Sequence, residues 1–181
     1  MVLIDPKVTW TKVEARLAAE QDPTRRRNLA TVFAHMKAEA IGDLDGLLET
    51  LSDDVHYHFY GSTDPDPTGK AGVRQFYESF IAAGATRLQL DIDRLVVDDT
   101  CVVTEGVMRM AYPGRTLAAR GVAVDDPDAF YLYEARMAVF WPFDEQGRAR
   151  GEDTYTAGDG FAGIADRKLR PEDIAELAPI G

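Results

Sequence analysis

The 181-residue sequence predicts an α+β fold in which a curved sheet closes over long helices. Two observations carry that prediction. Helical periodicity fills the chain as far as Gly84, apart from one short strand, and from Leu88 onward the apolar residues alternate at the period of strands. Helices first and antiparallel strands afterwards make an α+β domain, and a sheet that bends over helices leaves a hollow between the two layers.

The first helix is expected over 6–20, with Trp10, Val13 and Leu17 on one face, and Asp22-Pro23-Thr24 breaks it. A second helix runs to about Ile41 through Leu29, Val32, Phe33, Met36 and Ala40. Arg25, Arg26 and Arg27 lie in its first turn, where positive charge opposes the helix dipole, and read as a solvated cluster. Gly42 stops this helix and Asp43 caps the next, which runs to about Leu51. Asp53-Asp54 leads into a strand over 55–60, and a turn-rich loop with Pro65 and Pro67 follows. Thr68 is placed to cap a helix over 69–83, whose Val73, Phe76, Tyr77, Phe80 and Ile81 form an apolar stripe.

Leu88–Val97 and Thr100–Tyr112 read as a hairpin about Asp98-Asp99. A loop over 113–128 with Arg115 and Arg120 precedes a long strand, Ala129–Phe143, and the turn 144–147 leads to a last strand over 148–156. A glycine-rich loop and a short helix near 171–177 close the chain. Gly158-Asp159-Gly160-Phe161-Ala162-Gly163 matches G-x-G-x-x-G, but no βαβ unit can follow in so few residues. It reads as an exit loop.

Length and composition fit one domain over 1–181, with a helical extension (1–22) and a tail (157–181). A net charge of −11 argues against nucleic acid or an anionic membrane as partner. No apolar run is long enough to span a bilayer, the N-terminus lacks a signal peptide's apolar core, and Cys101 is the single cysteine, so the expected compartment is the cytoplasm.

Proton-transfer groups effective near neutral pH are scarce. Of three histidines, His56 and His58 share the aromatic strand with Tyr57, Phe59 and Tyr60, and His35 lies on the second helix. His56 and His58, two apart, put both rings on one face, where His35 or Glu152 could complete a zinc or iron site. No further His lies downstream and no Cys lies close to the pair in sequence, so the expectation is no metal and no cofactor.

Four segments carry a resemblance: GDLDGLLETLSDD before a short strand and Gly61, GKAGVRQFYESF, AYPG after a strand, and FDEQGR between the last two strands. Together they span 25–157 and resemble the NTF2-like superfamily, particularly SnoaL-like polyketide cyclases and ketosteroid isomerases. The resemblance implies a cone with a curved, mixed or antiparallel sheet wrapped around the long N-terminal helices. The superfamily holds isomerases, dehydratases, cyclases, lyases and noncatalytic binders.

Residue by residue, the resemblance puts His35 where the isomerases carry a hydrogen-bond-donating tyrosine. It puts His58 at their aspartate base when counted from Gly61, or Phe59 when counted from Asp53-Asp54. Their protonated aspartate falls at Val139. Glu152 and Thr154 are then placed on the cavity side of the last strand, beside Tyr133, Met137 and Trp141, with Met108, Met110 and Tyr112 on the next wall. Glu105, Arg109, Glu134 and Arg136 face outward, toward solvent or a second copy in a homodimer.

The expected function is cofactor-independent acid–base chemistry, of lyase, dehydratase, isomerase or cyclase type, on a small, largely apolar cyclic or aromatic molecule. His58 is the expected base, His35 or Tyr57 the donor to substrate oxygen, and Glu152 the second acid–base group. Phe59, Tyr60, Met108, Met110, Tyr133, Met137, Trp141 and Thr154 are the expected lining. The alternatives are a noncatalytic small-molecule binder and a histidine-ligated metal enzyme.

Overall fold

The computed structural model describes residues 2–62 and 65–175. Its elements are α1 (Val8–Ala19), α2 (Pro23–Ile41), α3 (Leu44–Glu49), β1 (His58–Tyr60), α4 (Gly69–Ala82), β2 (Leu88–Val97), β3 (Cys101–Pro113), α5 (Gly114–Ala119), β4 (Phe130–Pro142) and β5 (Asp153–Ala157). The strands form one mixed sheet in the order β1-β5-β4-β3-β2. β1 runs parallel to β5, and the other pairs are antiparallel.

Local chemistry sets the boundaries. The Asp22 side chain accepts from the amides of Thr24 and Arg25, with Pro23 opening α2. Gly42 ends that helix at φ 74°, a left-handed turn that glycine adopts without strain, and Asp43 caps α3 by accepting from Gly46. The three arginines of the α2 start are tied down within the chain: Arg25 pairs with Asp99, Arg26 donates to the carbonyls of Leu17 and Glu20, and Arg27 lies against Gly147.

The alternation of β3 and β4 sorts their side chains as the sequence implies. Thr104, Tyr112, Tyr133, Val139 and Trp141 are buried on the helix side, whereas Arg109 pairs with Glu134, and Arg136 with Asp93 and Glu105, on the outer side. One core layer packs Val13, Leu29, Val32 and Met36 from the helices against Leu90, Val102, Val139 and Trp141 of the sheet. A second joins Leu47, Leu51, Val55, Tyr57, Val73 and Tyr77 between α3, α4 and the β1 segment. Among the described residues no helix is long and apolar enough to cross a membrane.

Four segments differ from the sequence expectations. The 113–128 loop opens with α5, whose Leu117 is fully buried beside Tyr131 and Tyr133. Burial of that side chain supplies what the short TLAA run lacks as an isolated helix. The expected strand over 55–60 is regular only at His58–Tyr60, and Val55 and Tyr57 bond on the other side to Gly69 and Pro67. The last strand begins at Asp153 rather than at 148, because Ala149 and Arg150 are drawn to Thr50 and Pro142. The expected helix near 171–177 is a 3-10 turn over Pro171–Asp173, and 176–177 lie outside the described residues.

Candidate active site

The polar residues of the hollow gather around His35, which is fully buried on α2. Its Nδ1 is 2.7 Å from Thr50 Oγ1, and that hydroxyl donates onward to Leu47 O at 2.6 Å. The hydroxyl proton being committed to Leu47, its oxygen can only accept, so we assign Nδ1 as the protonated nitrogen. Nε2 therefore faces the hollow with its lone pair available. Trp141 stands edge-on to the imidazole at 5.2 Å between ring centroids, and helps fix it.

Glu152 reaches this nitrogen from the residue just before β5, with Oε1 3.1 Å from His35 Nε2. Nε2 and Oε1 thus face each other across a short gap, close enough for a proton to pass between them. The contact is off the line that a hydrogen bond requires, which leaves Oε1 buried and otherwise without a hydrogen-bond partner. The hydroxyls of Tyr57 and Tyr77 each stand 3.4 Å from the same Nε2. Burial first, and the Glu152 charge second, raise both tyrosines well above the ordinary range, so they remain donors at any working pH.

Glu39 completes the group, one helical turn beyond His35 on α2. Burial pushes its carboxyl up to about 8, the Glu152 charge adds to the rise, and a hydrogen bond with Tyr77 opposes it. At neutral pH Glu39 is a carboxylic acid. It also borders a small cleft formed by Ala38, Gly42, Leu44, Leu47, Tyr77 and Ile81, between α2, α3 and α4. The cleft has a volume of about 10 Å³, room for roughly one water molecule.

The backbone fixes Glu152 tightly. His58 N–H donates to Glu152 O at 2.8 Å, and His56 N–H to Arg150 O at 2.8 Å. Between them sits Gly151, where a Cβ would overlap the His56 carbonyl oxygen. Gly151→Ala is therefore expected to part β1 from β5 and to cost about 2–4 kcal/mol, which urea unfolding would read as a lower midpoint. An unchanged midpoint would mean that this approach is not needed.

The expected site residues divide into two groups. His35, Tyr57 and Glu152 converge, and Trp141, Met137, Met108 and Thr154 lie on the same inner side of the sheet. Phe59 packs beside Tyr57 against Phe76. Met110 and Tyr133 also face inward, but their end of the hollow is filled by α5 and the tail, with Phe161 against Tyr112 and Tyr133.

His58 and Tyr60 are corrections. The strand presents Tyr57 and Phe59 to the helices, so His56, His58 and Tyr60 point to the other side: His58 sits 3.2 Å from Asp66 Oδ2, and Tyr60 stacks on Tyr155. The count from Asp53-Asp54, giving Phe59, has the right face. A metal site joining His56 and His58 to His35 or Glu152 is excluded by the same geometry, since the sheet lies between them. Glu39 and Tyr77 were not identified in the sequence as site residues. The i, i+4 spacing of His35 and Glu39 on one helix was the available signal for the first, and Tyr77 was concealed within an apolar stripe.

Comparison with known proteins agrees with this architecture. None of the curated proteins matches the sequence. A proposed SnoaL-like polyketide cyclase of Shewanella putrefaciens CN-32 superposes with a TM-score of 0.64 over 92% of this chain and 96% of its own, at 14% identity. A proposed polyketide cyclase of Xanthomonas campestris pv. campestris gives 0.57 at 24% identity, covering 78% and 97%. An LEH-like epoxide hydrolase of M. tuberculosis gives 0.60 at 18% identity, covering 80% and 89%. These likenesses concern the fold. The family model described as the SnoaL-like domain matches residues 32–126, just over half of the 181 residues and a stretch that contains His35, Glu39, Tyr57 and Tyr77. With sheet order, helix order and this match in agreement, the chain belongs to the SnoaL-like domain family.

Proposed function

We propose that the chain is a cofactor-independent acid–base enzyme acting on a small, largely apolar cyclic or aromatic molecule. The observation that carries this reading is the meeting of His35, Glu39, Glu152 and two tyrosine hydroxyls in an apolar interior. Such a group is expensive for stability alone, because apolar residues of the same volume would fill the space at lower desolvation cost. Two carboxyl groups in different protonation roles, one holding its proton at neutral pH, are what proton removal and proton return both need.

In this reading the Glu152–His35 pair takes a proton from a carbon beside a carbonyl, or from an attacking hydroxyl. Glu39 and the hydroxyl of Tyr77 supply a proton or hydrogen bond to the substrate oxygen, and Tyr57 orients it. The product forms by isomerisation, loss of water, ring closure or ring opening. For a flat ring to reach the pair, the cleft beside Glu39 and Tyr77, about 10 Å³ in volume, has to widen by movement of α4 away from α2 and α3. Names of fold neighbours, which include polyketide cyclases and an epoxide hydrolase, guide the choice of compounds: cyclic and aromatic ketones, polyketide-like phenols and epoxides. Turnover of one of these by the native protein, lost in Glu152→Gln, supports the reading; equal turnover by both proteins overturns it.

A noncatalytic domain is the second reading, favoured by the close packing around His35 and by Phe161 in the wide end of the hollow. It predicts that the same compounds bind at the cleft without change.

We also propose a homodimer through the outer sheet face, where Phe140, Tyr155, Tyr60 and Val96 are exposed beside a field of paired Arg, Asp and Glu. Light scattering should give twice the 20.0 kDa chain mass, and Phe140→Glu should shift it toward one. A monomer in the native protein would remove this proposal.

A further inference from the structure

We propose that His56, His58 and Asp66 form a binding site for a divalent transition-metal ion on the outer side of the β1 edge. The site is separate from the buried His35–Glu152 group and does not depend on its function. One nitrogen from each imidazole and one Asp66 oxygen lie within 4.8 Å of one another. His58 Nδ1 and Asp66 Oδ2 are already 3.2 Å apart. Donors held about 2.0–2.1 Å from a tetrahedral zinc stand roughly 3.3 Å apart, so closure on an ion needs only small turns of half-exposed side chains.

The frame behind these donors is rigid. His56 and His58 are two apart in extended chain, which places both rings on one face, their centroids 3.9 Å apart. Each backbone is anchored to the β5 side, through His56 N–H to Arg150 O and His58 N–H to Glu152 O. Asp66 lies between Pro65 and Pro67, two residues of fixed φ, and its segment is pinned by Tyr57 N–H donating to Pro67 O at 3.0 Å.

The carboxylate is oriented as a ligand as well. Phe59 N–H donates to Asp66 Oδ1 at 3.0 Å, which leaves Oδ2 to face the imidazoles. Outer contacts of this kind hold a metal ligand in place before the ion arrives. Tyr60 flanks the His58 ring at 5.7 Å, and Asp153, paired with His58 across β1 and β5, adds negative charge on the same face. Two imidazoles and one carboxylate select zinc, cobalt, nickel, copper or iron over magnesium and calcium, which take oxygen ligands. Three protein donors leave a position for water or an outside ligand.

The test is calorimetric titration of chelator-stripped protein with Zn²⁺, with Co²⁺ visible absorption as a direct view of the ligand field. One ion per chain, at micromolar affinity or tighter, is expected. His58→Ala and Asp66→Asn should each weaken binding by about tenfold or more. Both positions are partly exposed, so these variants are expected to fold, and melting curves verify it. Glu152→Gln should bind Zn²⁺ as the native chain does, which distinguishes the edge site from the buried group. Absence of saturable binding by the native chain overturns the proposal. So does native-like affinity in His58→Ala, which would place the ion elsewhere.

Discussion

Glu152→Gln is expected to lower turnover by about 10²–10⁴-fold with little change in KM, the range that loss of one positioned proton-transfer group produces. The amide keeps the volume and one acceptor oxygen but cannot take up or pass on a proton beside His35 Nε2. Because Gly151 and the His58–Glu152 backbone bond set the position of residue 152, the variant should fold as the native chain does. His35→Gln should cause a loss of similar size. The double variant should lose little more than either single one, since two groups that act on the same proton work as a unit. Additive losses would show that the two residues work separately, and the account of a joint base would then fail.

The second large effect concerns stability. Glu39 ionises near 4.5 in an unfolded chain but holds its proton to about 8 in the folded one, chiefly through burial and secondarily through the Glu152 charge. Between those values the folded state keeps a proton that the unfolded state has released, so stability falls as pH rises through that window. Below it the side chain is protonated in both states and exacts no penalty. At about 1.4 kcal/mol per unit of displacement, the full penalty above pH 8 is on the order of several kcal/mol.

Glu39→Gln removes the ionisation while keeping a hydrogen-bonding partner for Tyr77. It is expected to raise the melting temperature by about 5–10 °C at pH 8.5 and to leave it nearly unchanged at pH 4.5. Calorimetric melts of both proteins from pH 4.5 to 9 check this. Parallel curves across that range would show that Glu39 does not carry the burden assigned to it. A stabilising substitution at a buried acid would also mean that the acid is retained for something other than folding.

The same residues show what could be read in advance. Element order, the stop at Gly42, the Asp43 cap and the inner and outer faces of β3 and β4 follow from local rules, with enough consecutive residues for the period to be unambiguous. The β1 segment is regular over three residues only and is bounded by irregular pairing on both sides, so no run of alternation fixes its phase. A slip of one residue exchanges His58 for Phe59, and with it the identity of the buried acid–base groups.

Glu152 was legible because its strand is anchored to a long, well-phased neighbour. Glu39 was not, since a charged residue on a helix ordinarily faces water, and only the approach of α4 and β5 encloses this one. α5 was hidden for the reverse reason: its helical state depends on where Leu117 is buried, not on its own six residues.

The segment that delivers Asp66 also settles how β1 meets the outside. Tyr57 N–H is spent on Pro67 O, the Val55 carbonyl on Gly69 N–H, and Phe59 N–H on the Asp66 side chain, with proline in the covering strip. Among the described residues these groups are already engaged, which opposes edgewise growth into fibrils along that rim. Protein that aggregates through this rim must first peel residues 65–69 away.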